Sequence, residues 1–212
     1  MIKIISAIDE KDSRLGKYFE DSQTDILSFL EEQELLEDYH SINAECCNVA
    51  YIDSLLSKIT VEPFIFIVYT HGNEKALCCN GANYVSENNS HHFKNSLFYS
   101  TACLVGKKLA PNLIEHGCKA FIGFTEESQA FEKDDYKEIS INCDNAGIKA
   151  LLSTKITVEQ AFDMMKSYYS QQIDKFNEVK DILFAAELTA NREALILLGN
   201  GSLTKDDFDI KQ

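Results

Sequence analysis

The stretch Phe64-Ile65-Phe66-Ile67-Val68-Tyr69-Thr70-His71-Gly72 decides the fold. Six apolar, mostly β-branched or aromatic residues in a row, stopped by a polar side chain and a glycine, are the pattern of a strand buried on both faces. A second run, Leu97-Phe98-Tyr99, ends in Ser100-Thr101-Ala102-Cys103. Two short buried strands, each closed by a reactive side chain, would deliver a base and a nucleophile to one edge of a sheet. In an open α/β sheet the carboxyl edge is where ligands bind. His71 and Cys103 are therefore expected to be neighbours in space.

Working outward, Met1 to Ile8 (MIKIISAI) reads as a first central strand ending in Asp9-Glu10-Lys11-Asp12. Leu15 to Tyr39 has helical spacing at Phe19, Ile26, Leu27, Leu30 and Leu36, with Ser22 or Thr24 as candidate caps. A short strand within His40 to Val49 and a helix through Val49, Ile52, Leu55, Leu56 and Ile59 lead back to the Phe64 strand. Strand and helix alternating in this way predict a mostly parallel sheet with right-handed crossovers.

Beyond Gly72, the pair Asn80-Gly81 between two short runs predicts a β-hairpin. Ser86 to Asn95 reads as an exposed loop, Pro111 as the first residue of a helix that stops at Gly117, and Lys119 to Phe124 as the next strand. Residues 128–137 read as flexible loop and Glu138 to Cys143 (EISINC) as a short strand. Thr157 and Gln160 have capping-box spacing ahead of a long two-part helical region, and Ala194 to Leu198 is a closing strand.

Composition bounds the function. At 212 residues the chain is expected to form one domain, residues 1–212, since a chain of this length buries roughly 70% of its unfolded surface. The formal charge is −14, and Met1 to Glu62 holds five Lys/Arg against fourteen Asp/Glu. Phosphate contacts need a basic face, so nucleic acid is not expected as a partner. Seven cysteines, an odd number with two adjacent pairs, and no cationic, apolar leader at the start point to a reducing cytoplasm. No apolar run approaches a membrane span, so no membrane partner is expected.

A thiol attacks as its thiolate and needs a base beside it, and acyl transfer needs donors for the oxyanion. Cys103 and His71 supply the first pair; the backbone N–H groups of Gly72 and Cys103 are the candidate donors. Cys78-Cys79 and His91-His92 are metal-ligand types, but neighbours on a strand point to opposite faces, so no metal and no cofactor are expected. Gly106-Lys107-Lys108 lacks the upstream glycine of a phosphate loop, and no Gly-x-Ser-x-Gly elbow occurs.

Thr70-His71-Gly72 after one strand and Ser100-Thr101-Ala102-Cys103 after the next resemble the signature of the caspase-like (clan CD) cysteine peptidases, closest to the CHAT and gingipain branch. The segment LAPNLIEHGCKAFIGF and the closing Ala194 to Gly199 resemble that branch too, and the resemblance covers about Phe64 to Leu203. It implies a three-layer sandwich with a mostly parallel central sheet of about six strands and helices on both faces. It also implies endopeptidase activity by a Cys-His dyad without a required third side chain: Cys103 as nucleophile, His71 as general base or acid, Gly72 as oxyanion donor. Gly199-Asn200-Gly201 stands where CHAT-like chains commonly have Asp-Pro.

By the same resemblance, the pocket for the residue before the cleaved bond would draw on Asp9 and Glu10, on Ser100 and Thr101, and on Glu126 and Glu127. Those carboxylates predict a basic residue there. A protein substrate, a separate activator and a place in a bacterial defence or cell-death circuit follow by analogy. The competing expectations are a catalytically silent caspase-like interaction module and a small-molecule cysteine hydrolase.

Overall fold

The computed structural model describes residues 1–59, 61–131 and 133–210. Its elements are β1 (Ile4–Ile8), α1 (Gly16–Glu32), β2 (Tyr39–Ile42), α2 (Val49–Leu56), β3 (Phe64–Tyr69), β4 (His71–Asn73), β5 (Ala76–Cys79), β6 (Ala82–Ser86), β7 (Ser96–Ser100), α3 (Leu109–Glu115), β8 (Ala120–Phe124), α4 (Asp134–Ser153), α5 (Val158–Glu178), α6 (Ile182–Ala194) and β9 (Leu195–Gly199).

Six strands form one sheet in the order β2-β1-β3-β7-β8-β9. The first five are parallel, and β9 runs antiparallel to β8. The reversal follows from the connection. Leu195, directly after α6, pairs with Phe124 at the carboxyl end of β8, so the chain enters the sheet from that edge and has only one direction to run.

Helices cover both faces. Ile4, Ile8, Ile65, Ile67, Tyr69, Leu97, Tyr99 and Ile122 point to the side of α1, α4, α5 and α6. Ile5, Ala7, Phe64, Phe66, Val68, Phe98 and Phe121 point to the side of α2, α3 and the hairpin. Each central strand buries both sets, which is why its sequence is an unbroken apolar run.

Asn80 and Gly81 both have positive φ, 51° and 74°, the geometry of a type I′ turn, and join β5 to β6. With β4 this hairpin makes a second, three-stranded sheet. Thr157 and Gln160 close the expected capping box at the start of α5.

Three local expectations are corrected. Glu138 to Cys143 is not a strand but the middle of α4, whose inward face carries Ile141, Asp144, Asn145, Ile148 and Leu151. Two polar residues on the buried stripe break the apolar pattern, leaving only the i, i+2 alternation of EISINC visible. Ser86 to Asn95 is exposed only in part: Glu87, Asn88, His91 and Lys94 face outward, but Asn89 and Phe93 are buried, and Asn89 donates to the Tyr84 carbonyl (2.9 Å) and accepts from Ser86 N–H (2.9 Å). Neither Ser22 nor Thr24 caps a helix; both lie inside α1 and donate to carbonyls four residues back. The start of α1 is organised by Asp12, whose Oδ1 accepts from the N–H groups of Arg14 (2.9 Å) and Leu15 (2.6 Å).

Candidate active site

Thr70 and Thr101 leave adjacent parallel strands at the same edge. The Thr101 N–H and hydroxyl both donate to the Val68 carbonyl at 3.1 Å, strapping the turn after β7 to β3. Leu104 takes a left-handed conformation, φ 65°, and its N–H donates to the Glu126 carbonyl at 3.2 Å. A bulky residue there is strained, and strain of this kind collects at functional sites. Between these two straps stands Cys103. Its backbone N–H has no acceptor among the described residues, and its sulfur accepts from Ser128 N–H at 3.4 Å.

His71 follows Thr70, whose hydroxyl meets the Tyr84 hydroxyl at 2.9 Å on the hairpin side, so the next side chain turns to the α1 side. There the Phe19 ring meets the imidazole edge to face, 5.3 Å between centroids, and Nε2 lies 3.2 Å from Asp12 Oδ2. Partial burial pulls the Asp12 carboxyl upward, but the N–H donors of Leu15 and Arg14 and the nearby His71 outweigh it and hold the group below its usual range. It is an anion at neutral pH. A neutral imidazole donating Nε2–H to that anion carries its lone pair on Nδ1.

His71 and Cys103 line two adjoining cavities. One, of about 320 Å³, is an open cleft whose walls include Arg14, Gly72, Leu104, Glu127 and Ser128. The other, of about 30 Å³, reaches inward past Leu15, Phe19, Thr101 and Ala130 to Asp144. A wider groove of about 410 Å³ between α1 and α4 is bordered by the ion-paired Asp21, Asp25 and Lys137 and contains no nucleophile.

The expected site residues are thus partly assembled. His71, Gly72, Cys103, Thr101 and Glu127 border these cavities. Ser100 is buried and accepts from Ala102 N–H, and Glu126 is turned outward in an ion pair with Lys107 at 2.9 Å. Asp9 and Glu10 are not brought to either cavity. Asp9 continues the β1 alternation of Ile5 and Ala7 onto the α2 face, where it is 1% exposed beside the thiols of Cys47 and Cys79. Glu10 accepts from Ala44 N–H.

Asp12, Arg14, Ser128 and Asp144 were not singled out by the sequence. Asp12 had one legible signal, its position just before the first helical residues, where an aspartate accepts backbone N–H bonds. Among the described residues no group of three His, Cys, Asp or Glu side chains is placed to hold a metal ion, and no helix is long and apolar enough to cross a membrane.

No family model and no curated protein matches this chain.

All seven cysteines are free thiols. Burial raises Cys47 to about 12 and Cys118 to about 11, and pushes Cys78, Cys79 and Cys143 up as well. Cys103 borders the open cleft with His71, a base able to take its proton, and is expected to label fastest with iodoacetamide at neutral pH, mapped by peptide mass spectrometry. His71→Ala should slow that labelling sharply; equal rates in the two proteins would separate His71 from the thiol.

Proposed function

We propose that this protein is a cysteine endopeptidase of caspase-like fold that cuts a protein partner. The observation that carries the reading is one cleft at the sheet's carboxyl edge bordered by a thiol and by an imidazole tied to a carboxylate. Nucleophile, base and orienting group together are the constellation of acyl transfer.

In the proposed cycle His71 Nδ1 takes the Cys103 proton, and the thiolate attacks the peptide carbonyl carbon. The oxyanion is received by the N–H groups of Cys103 and Gly72. As the C–N bond breaks, His71 returns the proton to the leaving amine. Water, deprotonated by His71, then hydrolyses the thioester and restores the thiol. Asp12 stays ionised throughout and stabilises the imidazolium between the two proton transfers.

A peptide-library cleavage profile with Cys103→Ala as control tests the reading. Cleavage by the native chain and none by the variant is expected. A biological effect that survives Cys103→Ala would instead favour a silent interaction module, and turnover of small esters or glutamine without peptide cleavage would favour a small-molecule hydrolase.

A further inference from the structure

We propose that Asn191, on α6 and lining neither cavity, is a positioning residue that aims the Ser128 N–H at the Cys103 sulfur. The inference deepens the endopeptidase reading, on which it rests for the peptide step alone.

The buried stripe of α6 is Phe184, Ala185, Leu188, Asn191 and Ala194. Asn191 is the polar member of that stripe and is 1% exposed. A polar side chain is stable in such a place only when its donors and acceptors are matched. One backbone residue matches them: Asn191 Oδ1 accepts from Gln129 N–H at 2.8 Å, and Asn191 Nδ2 donates to the Gln129 carbonyl at 3.0 Å. The amide stands in for a neighbouring strand, with one donor and one acceptor side by side, and only one orientation of it satisfies both. Among the described residues the Gln129 N–H and carbonyl have no other partner.

The end of α6 holds the same segment at a second point. The Ala194 carbonyl accepts from the Thr125 N–H at 2.8 Å and from the Thr125 hydroxyl at 3.0 Å. Between these anchors Glu126, Glu127 and Ser128 cross the turn that carries the nucleophile, where the Glu126 carbonyl accepts from Leu104 N–H. Ser128 N–H donates to Cys103 Sγ at 3.4 Å, and the Ser128 hydroxyl lies 3.6 Å from the same sulfur. The Ser128 carbonyl, 3.8 Å away, can only accept from the S–H, and that contact ends once the proton leaves. What remains for the sulfur is a backbone donor fixed by a clasp one residue further on. Such a donor bonds an ionised acceptor more strongly than a neutral one, so it holds the charge that appears when His71 takes the proton.

The test follows iodoacetamide alkylation of Cys103 from neutral to alkaline pH in native protein and in Asn191→Leu, which keeps the size and removes the amide. The titratable and charged groups around the sulfur, Arg14, Tyr18, His71, Glu127 and Asp144, are the same in both. Loss of the donor should cut the thiolate fraction at neutral pH by about tenfold, the scale of one hydrogen bond to a charged group. A more basic thiolate is the better nucleophile, which returns about threefold. Alkylation is therefore expected to be about threefold slower at neutral pH and about threefold faster in alkaline solution, where both proteins are ionised. The two profiles cross, whereas a segment that had only loosened would shift the rate in one direction at every pH.

Ser128→Pro leaves Asn191 in place and removes the donor itself, whose acceptor is the Cys103 sulfur. The same crossing is expected, and this variant decides the matter if Asn191→Leu fails to fold. Thr125→Val removes a hydroxyl bond at the far anchor, keeps the Thr125 N–H and should retain the native profile. Parallel profiles, a native profile in either folded variant, or an equal change in Thr125→Val would overturn the inference. Peptide turnover, measured beside alkylation, separates the two readings. Crossing profiles with no cleavage by the native chain remove the peptidase reading only. Cleavage by the native chain with profiles that do not cross removes the Asn191 inference only, and absence of both removes both.

Discussion

Asp12→Asn is expected to lower kcat by about three to four orders of magnitude, with KM nearly unchanged, as loss of the orienting carboxylate does in a triad. The two oxygens of Asp12 do different work. Oδ1 holds the turn into α1 through Arg14 and Leu15 N–H, and Oδ2 faces His71 Nε2. Asparagine keeps the Oδ1 acceptor, so the turn should persist. In place of Oδ2 it offers an N–H donor, which forces Nε2 to become the acceptor and moves the ring proton to Nδ1, the nitrogen needed as the base.

A glutamate at position 12 restores the charge but not the reach, and it should recover only part of the loss. Stability carries its own pH signature. Because the folded state depresses the Asp12 carboxyl below its unfolded value near 3.8, its contribution is complete above that value and disappears as pH falls through the depressed one. Asp12→Asn should therefore flatten the acid limb of the stability curve and lose, at neutral pH, the part of the stability that the ionised carboxylate adds. A variant that melts early at neutral pH and regains full turnover on stabilisation would make Asp12 a structural cap alone.

Gly72→Ala is the second large effect. A Cβ at this position would stand 2.6 Å from Val105 Cγ1, 2.8 Å from the Cys103 carbonyl oxygen and 3.0 Å from Ala102 Cβ. Two of these neighbours belong to the turn that carries the nucleophile, and that turn is strapped to β3 and to the segment after β8. It has nowhere to retreat, so β4 must move away and take His71 with it. Overpacking of this kind costs about 1–3 kcal/mol. A displacement on the order of 1 Å at the reacting pair costs about a hundredfold in turnover.

Denaturant unfolding and steady-state kinetics together check both expectations. Gly81→Ala is the control: that glycine, unlike Gly72, has positive φ, and nothing lies near its added Cβ, so it should lose stability at the hairpin and no activity. Equal turnover in Gly72→Ala and native protein would mean that β4 and the Cys103 turn are not mechanically coupled.

How much of this was legible varied with the kind of signal. Phe64 to Tyr69 could be read as a buried strand because every residue in it meets apolar packing on one face or the other, and both requirements are written into consecutive letters. Asn80-Gly81 could be read as a hairpin because both positions need positive φ. His71 and Cys103 could be paired because adjacent parallel strands end at one edge, whatever lies between them in sequence. α4 was misread because Asp144 and Asn145 face inward, and burial of polar groups depends on partners such as Tyr18, Tyr69 and Tyr169 that come from distant elements.

By itself, then, the sequence determined most of the strands and helices, a mostly parallel central sheet and the edge where a thiol and an imidazole meet. Those follow from local periodicity and chain connectivity, which act over a few residues at a time. Only the tertiary structure decided which acid serves which role. Asp9, Glu10 and Asp12 lie within four positions of one another, yet one is buried on the α2 face, one binds the Ala44 N–H and one holds His71. A carboxylate's role is set by the direction of its side chain and the groups across from it, and those come from α1, the hairpin and α4 only once the chain has folded around the sheet.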